Sequence, residues 1–239
     1  MKFTLLTYNL FLNRAYKNVG SLLAKYQPEI VCLQELSTKD PNLHQVEQYG
    51  YKLADYSNSF SRGRQVFGVA TFYNSLLLTH INSRSFNLSR GFYEFMRYVA
   101  KNEPQKRTVL KTKFMFKKTG KKVRIYNLHL DPFGTNRIRD KQIREAFEDL
   151  DLSAKEPIVT AGDFNYPYGR KKFEYLINDY GLSEATNTIF YTHERRVLKL
   201  ISIKIKLDYV LYKNIKNIKT ERLRVRHSDH FPILSTFEM

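Results

Sequence analysis

The chain has 239 residues, 42% of them hydrophobic and 14% aromatic, with only 10 Gly and 7 Pro; this excludes a disordered, collagen-like or low-complexity protein and leaves enough apolar surface for a sizeable core. Lys+Arg number 40 against 23 Asp+Glu, a net charge of +17, which favours a polyanionic partner such as nucleic acid, an anionic membrane surface or a phosphorylated small molecule. A single cysteine, Cys32, excludes an intramolecular disulfide framework. No run approaches the roughly 18 apolar residues needed to span a bilayer. The N-terminal run MKFTLLTYNLFLNR is interrupted by Thr4, Thr7 and Asn9 and has no small-residue cleavage site. The expectation is a cytoplasmic, monomeric protein with no signal peptide or integral membrane segment.

Residues 3–9 form a short β-rich run, and after Asn13 the apolar positions Ala15, Val19, Leu22, Leu23 and Tyr26 recur at helical spacing until Pro28 stops them. The nearly all-apolar run EIVCLQE (29–35) has the length of a strand buried on both faces. Further strands are predicted at 66–73, 76–81, 107–116 and 122–130, the last two joined by KKTGKK, a hairpin that makes the sheets mixed. The segment 82–106 carries little pattern and reads as an insertion or surface loop. A second helix is predicted over 136–150, with Ile143, Ala146, Phe147 and Leu150 on one stripe. The strand PIVTAG follows, then a third helix built on Phe173, Leu176, Ile177 and Tyr180 before Gly181. Toward the C-terminus Ile201, Ile203, Ile205 and Leu207 alternate with polar neighbours, Leu223 and Val225 alternate with Arg222, Arg224 and Arg226, and PILSTF closes the chain. With no linker, fixed-period repeat or break in composition, a single α/β domain over 1–239 is expected.

Acidic, amide and imidazole side chains gather at the ends of these strands, where α/β enzymes collect their site residues: Asn9, Glu35, His129, Asp163 with Asn165, Asp208, and Asp229 with His230. Carboxylates from Glu35 and Asp229, with an amide oxygen from Asn9 or Asn165, are hard ligands suited to Mg²⁺, Mn²⁺ or Ca²⁺, and no Cys/His cluster at zinc spacing competes. Asp163 and Asn165, two apart, share a face if extended and suit a base and a positioner. In VRIYNLHLD, His129 falls on the face opposite Tyr126, Leu128 and Leu130 and is expected to look away from the packed side. Asp208 is a candidate partner to orient His230. His44, His80, His193 and His227 read as structural. Arg222, Arg224 and Arg226 read either as a phosphate-binding stripe or as the solvated face of a strand. Tyr166 and Tyr168 are candidates for substrate stacking.

The motifs TYNL with Asn9, LQE with Glu35, NLHL with His129, GDFN with Asp163 and Asn165, LDYVL with Asp208, and SDHFPI with Asp229 and His230 form an ordered set from residue 7 to residue 233. This set resembles the endonuclease/exonuclease/phosphatase superfamily, the DNase I-like fold. The resemblance implies a four-layer sandwich, two mixed β-sheets packed face to face with flanking helices, and hydrolysis of phosphoester bonds dependent on Mg²⁺ or Mn²⁺. By it Glu35 is the principal metal ligand, supported by Asn9 and Asp229. Asp163 and Asn165 position the attacking water and the phosphate, His230 acts as general base or proton donor, and His129 stabilises the transition state. Arg107 resembles an arginine aimed at the phosphate. Leu10 and Phe11 after Asn9 disfavour the abasic-site endonuclease branch, and the absence of tryptophan disfavours the inositol polyphosphate phosphatases. Charge makes nucleic acid the expected substrate. The alternatives are a sphingomyelinase-like phosphodiesterase or phosphatase acting on phospholipid or small phosphate esters, and a non-catalytic nucleic-acid-binding module.

Overall fold

The computed structural model describes residues 1–103, 106–148, 150, 155–198 and 201–239. Along the first half run β1 (Lys2–Asn9), α1 (Val19–Tyr26), β2 (Ile30–Ser37), α2 (Asp40–Gln45), β3 (Tyr51–Arg62), β4 (Gln65–Asn74), β5 (Leu78–Leu88), α3 (Phe92–Lys101), β6 (Arg107–Phe116) and β7 (Lys122–His129). Then come α4 (Asn136–Ala146), β8 (Ile158–Asp163), α5 (Arg170–Asn178), β9 (Ser183–Glu184), β10 (His193–Leu198), β11 (Ile201–Ile205), β12 (Asp208–Lys213), β13 (Lys216–Arg222) and β14 (Ile233–Glu238). Two six-stranded sheets result, ordered β13-β14-β1-β2-β4-β3 and β5-β6-β7-β8-β12-β9, with β10 and β11 as a separate ribbon. Both sheets are mixed: β1–β2 and β7–β8 are parallel, whereas β6–β7 is the expected hairpin.

The layering follows from period-two alternation in strands apolar on both faces. In β1, Phe3 and Leu5 face the second sheet while Leu6 and Tyr8 face outward; in β2, Ile30 and Cys32 face in while Val31 and Leu33 face out. The second sheet mirrors this, with Ile125, Val159 and Val210 inward and Tyr126, Leu128 and Ile158 outward. The two inward faces close on each other as a central core. The outward face of the first sheet is covered by Val19, Leu22 and Leu23 around α1, and that of the second by Ile143 of α4 and Phe173 and Leu176 of α5. The result is helix, sheet, sheet, helix.

Several elements depart from the sequence pattern. The segment 82–106 is not a loop: β5 continues to Leu88, pairing with β6 as an exposed edge strand, and α3 follows; residues 104 and 105 lie outside the described residues. Strand β3 carries no clear sequence pattern, because Lys52, Asp55, Ser57 and Asn58 break its alternation, which an edge strand tolerates. Helix α4 stops at Ala146 rather than 150, because Phe147 and Leu150 reach the core from beyond the helix end; Asp149 lies outside the described residues. Leu223 to Arg226 is not strand: the Leu223 and Val225 amides bond to Pro232 and Leu223 carbonyls, and β13 ends at Arg222.

Candidate active site

The inward rows that build the central core change character at one end of the sandwich. Phe3 and Leu5 give way to Thr7 and Asn9, Cys32 to Gln34, Ile125 to Asn127 and His129, Ala161 to Asp163, and Val210 to Asp208. Register aligns them: His129 and Asp208 both pair with Asp163 across the second sheet, and Asn9 pairs with Gln34 in the first. Gln34 Nε2 donates to Asn127 Oδ1 at 2.8 Å and ties the two sheets just beneath this polar end. Above it opens a cavity of about 600 Å³ whose floor holds Glu35, His129, Asp163, Asn165, Asp229 and His230. Arg14, Arg62, Arg97, Arg107 and Arg195 also line it.

Strict alternation would place Glu35 with Leu33 on the outward face. A bulge between Gln34 and Leu36, opposite Val69 and Gly68, breaks the alternation, and Glu35 takes a left-handed φ of 55°. Such a backbone costs a non-glycine residue about 1–3 kcal/mol, and here the bulge aims the carboxylate into the cavity. Glu35 Oε2 accepts from the Leu12 amide at 2.7 Å. Asn9 holds the neighbouring acids, its Nδ2 lying 2.9 Å from Asp163 Oδ2 and 3.4 Å from Glu35 Oε1, while its Oδ1 accepts from the Phe11 amide at 3.0 Å. Asn9 therefore shows its nitrogen, not its oxygen, to the carboxylates. Asp163 Oδ1 accepts from the Asn165 amide at 2.9 Å, and Asn165, itself at φ 48°, anchors its Nδ2 on the Leu130 carbonyl.

Two histidines flank Asp163. His129 lies opposite Tyr126 and Leu128, but that face is the space between the sheets, so the ring is buried rather than turned from packing. Arg107 Nη1 stands 3.3 Å from its Nδ1. Because a guanidinium only donates, Nδ1 is assigned as acceptor and the proton to Nε2. Burial first, then Arg107 and His230, hold His129 well below the ordinary imidazole range. Its Nε2 has no hydrogen-bond partner among the described residues and faces Asp163 Oδ2 at 3.6 Å and Glu35 Oε1 at 3.7 Å. Burial alone would lower His230 too, yet Asp208 Oδ2 at 2.8 Å from its Nδ1, together with Asp163, outweighs burial and raises it to about 10. Burial, with Asp208 and Glu35 nearby, raises the Asp163 carboxyl.

Asp229 sits beside His230 with His193 Nε2 at 3.4 Å from its Oδ2. Burial opposes its charge, but His193 and His230 hold the carboxyl below the usual range. His193, expected to be structural, thus belongs to the cavity wall; nothing in THERR marks it, since β10 brings it there only in three dimensions. Arg107, expected to aim at the phosphate, lines the cavity but is buried, ion-paired with the equally buried Glu94 of α3 and packed on Phe60. Tyr166 requires a correction. It is 1% exposed, packs on Phe173 and donates to Asp140 Oδ1 at 2.8 Å, so no ring face is open for substrate stacking. Tyr168, in contrast, is exposed.

The donor set suits a hard divalent cation. Glu35, Asp163, Asp208 and Asp229 crowd one end of the sandwich with oxygen donors. His193, Asp229 and His230, and separately Asp163, Asp208 and His230, lie close together, and with His230 held protonated the carboxylates are the donors left for an ion.

Comparison with solved structures places the whole chain on one fold. The human Nocturnin catalytic domain, solved with a bound sulfate anion, superposes with a TM-score of 0.79 at 18% identity, covering 99% of this chain and 94% of that one. A mannosyl-6-phosphatase from Bacteroides thetaiotaomicron VPI-5482 gives 0.75 at 17% identity over 99% of this chain and 100% of that one. D. rerio TDP2, complexed with a single-strand DNA product, gives 0.72 at 14% identity over 100% and 99%. No curated protein matches in sequence. The sequence itself matches the Endonuclease/Exonuclease/phosphatase family over residues 6–230, a span that takes in Asn9 and the cavity-floor residues from Glu35 to His230. The chain belongs to that family and is a phosphoesterase.

Proposed function

We propose that this phosphoesterase hydrolyses phosphodiester bonds in nucleic acid with the help of Mg²⁺ or Mn²⁺. The observation that carries the reading is the pair of histidines on either side of Asp163, His129 neutral at 3.6 Å and His230 cationic at 3.8 Å from its Oδ2. Asp163, its carboxyl raised and both oxygens held, accepts the proton of the attacking water, which Asn165 helps to place. His230, fixed by Asp208, offers an imidazolium Nε2–H to a non-bridging phosphoryl oxygen. His129 offers a neutral Nε2–H to the same group. Arg107 works through His129, keeping its Nδ1 an acceptor. Glu35 and Asp229 would hold the cation, whose chemistry there is Lewis-acid neutralisation of charge on the phosphate. The arginine-lined cavity and the net charge of +17 support a polyanionic substrate.

The test is incubation with supercoiled plasmid and with bis(p-nitrophenyl) phosphate, with Mg²⁺ or with EDTA, using Asp163→Asn to expose contaminating nuclease. Metal-dependent nicking absent from the variant supports the reading. Hydrolysis of the small diester without nicking rejects nucleic acid and keeps the chemistry. One observation favours a second reading, a phospholipid substrate: α3 turns Glu94 inward and leaves Phe92, Phe95 and Val99 at 79%, 50% and 61% exposure beside the cavity. Hydrolysis of phospholipid in vesicles that is lost in Phe92→Ser/Phe95→Ser, with bis(p-nitrophenyl) phosphate turnover retained, would select it.

A further inference from the structure

Alternation along β10 sends His193 and Arg195 into the catalytic cavity and Glu194 to the other face of the ribbon. On that other face lies a second cavity, of about 300 Å³, lined by Tyr191, Arg222, Arg224, Arg226 and Phe231. The Arg222 guanidinium packs on both rings, its Cζ 3.8 Å from the Tyr191 centroid and 4.4 Å from that of Phe231. The two rings stand T-shaped to each other with centroids 5.8 Å apart, Arg222 also donates to the Tyr191 hydroxyl, and its Nη1 is buried without a hydrogen-bond partner among the described residues. Arg226 is steered by Glu194, 3.1 Å from its Nη2. Arg224 is exposed and has no ion pair among the described residues. Three guanidinium groups thus face one carboxylate. Stacking also fixes Arg222 before any ligand arrives, so little side-chain freedom remains to be lost on binding.

Guanidinium forks suit an anion with paired oxygens, and the unpartnered Arg222 Nη1 leaves a donor for one. The pocket borders the hydrolytic site through the chain itself, since Phe231 directly follows His230. We propose that Arg222, Arg224 and Arg226 form a second phosphate-binding site that holds a non-scissile phosphate of the substrate chain while another phosphate occupies the catalytic cavity. The proposal rests on nucleic acid being the substrate and adds to it a requirement for at least two phosphates.

The test measures binding and turnover separately. Fluorescence anisotropy with a labelled single-stranded DNA of about 12 nucleotides is read on protein carrying Asp163→Asn to stop cleavage. Adding Arg222→Gln is expected to weaken Kd about tenfold and to reduce the salt dependence by about one counterion. Arg224→Ala, on a side chain with no described partner to disturb, is expected to weaken Kd about threefold. Lys216→Ala, at the other end of β13, serves as the charge control and is expected to change Kd less than about twofold. In the otherwise native protein, Arg222→Gln and Arg224→Ala should leave bis(p-nitrophenyl) phosphate turnover unchanged, which also shows that they fold. An unchanged Kd in both arginine variants, an equal loss in Lys216→Ala, or a matching loss of small-diester turnover overturns the proposal. Failure of the native protein to cut the oligonucleotide with Mg²⁺ sinks the nucleic-acid reading by itself, and the anisotropy comparison still decides the pocket.

Discussion

On one flank of the cavity, where β6 and β7 end, His129 is buried beside the guanidinium of Arg107; on the other, where β12 ends and β14 begins, His230 is buried beside the carboxylates of Asp208 and Asp163. Desolvation penalises a charged imidazole on both flanks. The outcomes nonetheless diverge, His129 neutral and His230 held charged, because the nearest charges differ in sign. The lesson is that burial sets the cost and the neighbour sets the charge state. A neutral donor and a cationic donor then flank one acid, Asp163; burial raises its carboxyl and outweighs the lowering by His230, leaving it at about 7, able to exchange a proton near neutrality.

Removing the shared acid should have the largest effect. Asp163→Asn is expected to lower kcat/KM for bis(p-nitrophenyl) phosphate by about 10⁴-fold, the full worth of a positioned acid–base group. Turnover within tenfold of the native enzyme would take Asp163 out of the chemistry. Abolishing the difference between flanks comes next. Asp208→Asn removes the carboxylate bonded to His230 Nδ1, so the imidazole should lose its proton at lower pH and become more like His129. Activity should fall about 10³-fold, and the alkaline limb of the pH–rate profile should move to lower pH. A lower rate with an unmoved limb would mean that Asp208 only braces the loop.

Most of the sandwich was legible because period-two alternation carries both its faces: Phe3, Leu5, Leu6 and Tyr8 in β1 already specify a strand buried on two sides. The polar ends of those rows, Asn9, His129, Asp163 and Asp208, were legible for the same reason. What escaped depends on contacts between distant segments. The bulge that turns Glu35 inward is set by how β2 meets β4, and no local composition announces it. Helix α3 was obscured because its inward side is Glu94 and Arg97 and its outward side is aromatic, the reverse of an ordinary amphipathic helix. Glu94 is invisible until Arg107 is placed opposite it.

That same ion pair supports the neutral flank, and breaking it is expected to cost stability more than catalysis. Arg107→Met leaves the buried Glu94 carboxylate without its partner, in a site where burial already pushes that carboxyl up. Urea unfolding should show a loss of about 3 kcal/mol. Arg107→Met/Glu94→Gln removes both charges and should recover most of it. If the single variant is as stable as the native protein, Glu94 is neutral in the fold and Arg107 alone sets His129.

The finest distinction between the flanks is the sign of their pH dependence in EDTA-treated protein. His230 has a folded value, about 10, above the ordinary 6.5 of the unfolded chain. Its contribution to stability is complete below pH 6.5 and is lost as pH rises from there toward 10, because the native state binds the extra proton. His129, lowered from 6.5, acts oppositely: its neutral burial stabilises the fold above pH 6.5, and that contribution is lost as pH falls and the unfolded imidazole takes up a proton. Between pH 7 and 9 only the first term operates, so stability should fall by about 1 kcal/mol per pH unit relative to Asp208→Asn, in which the term is removed. Equal slopes for the two proteins in urea titrations across that range would show that His230 is not held charged, and the contrast between the flanks would have to rest on hydrogen-bond geometry alone.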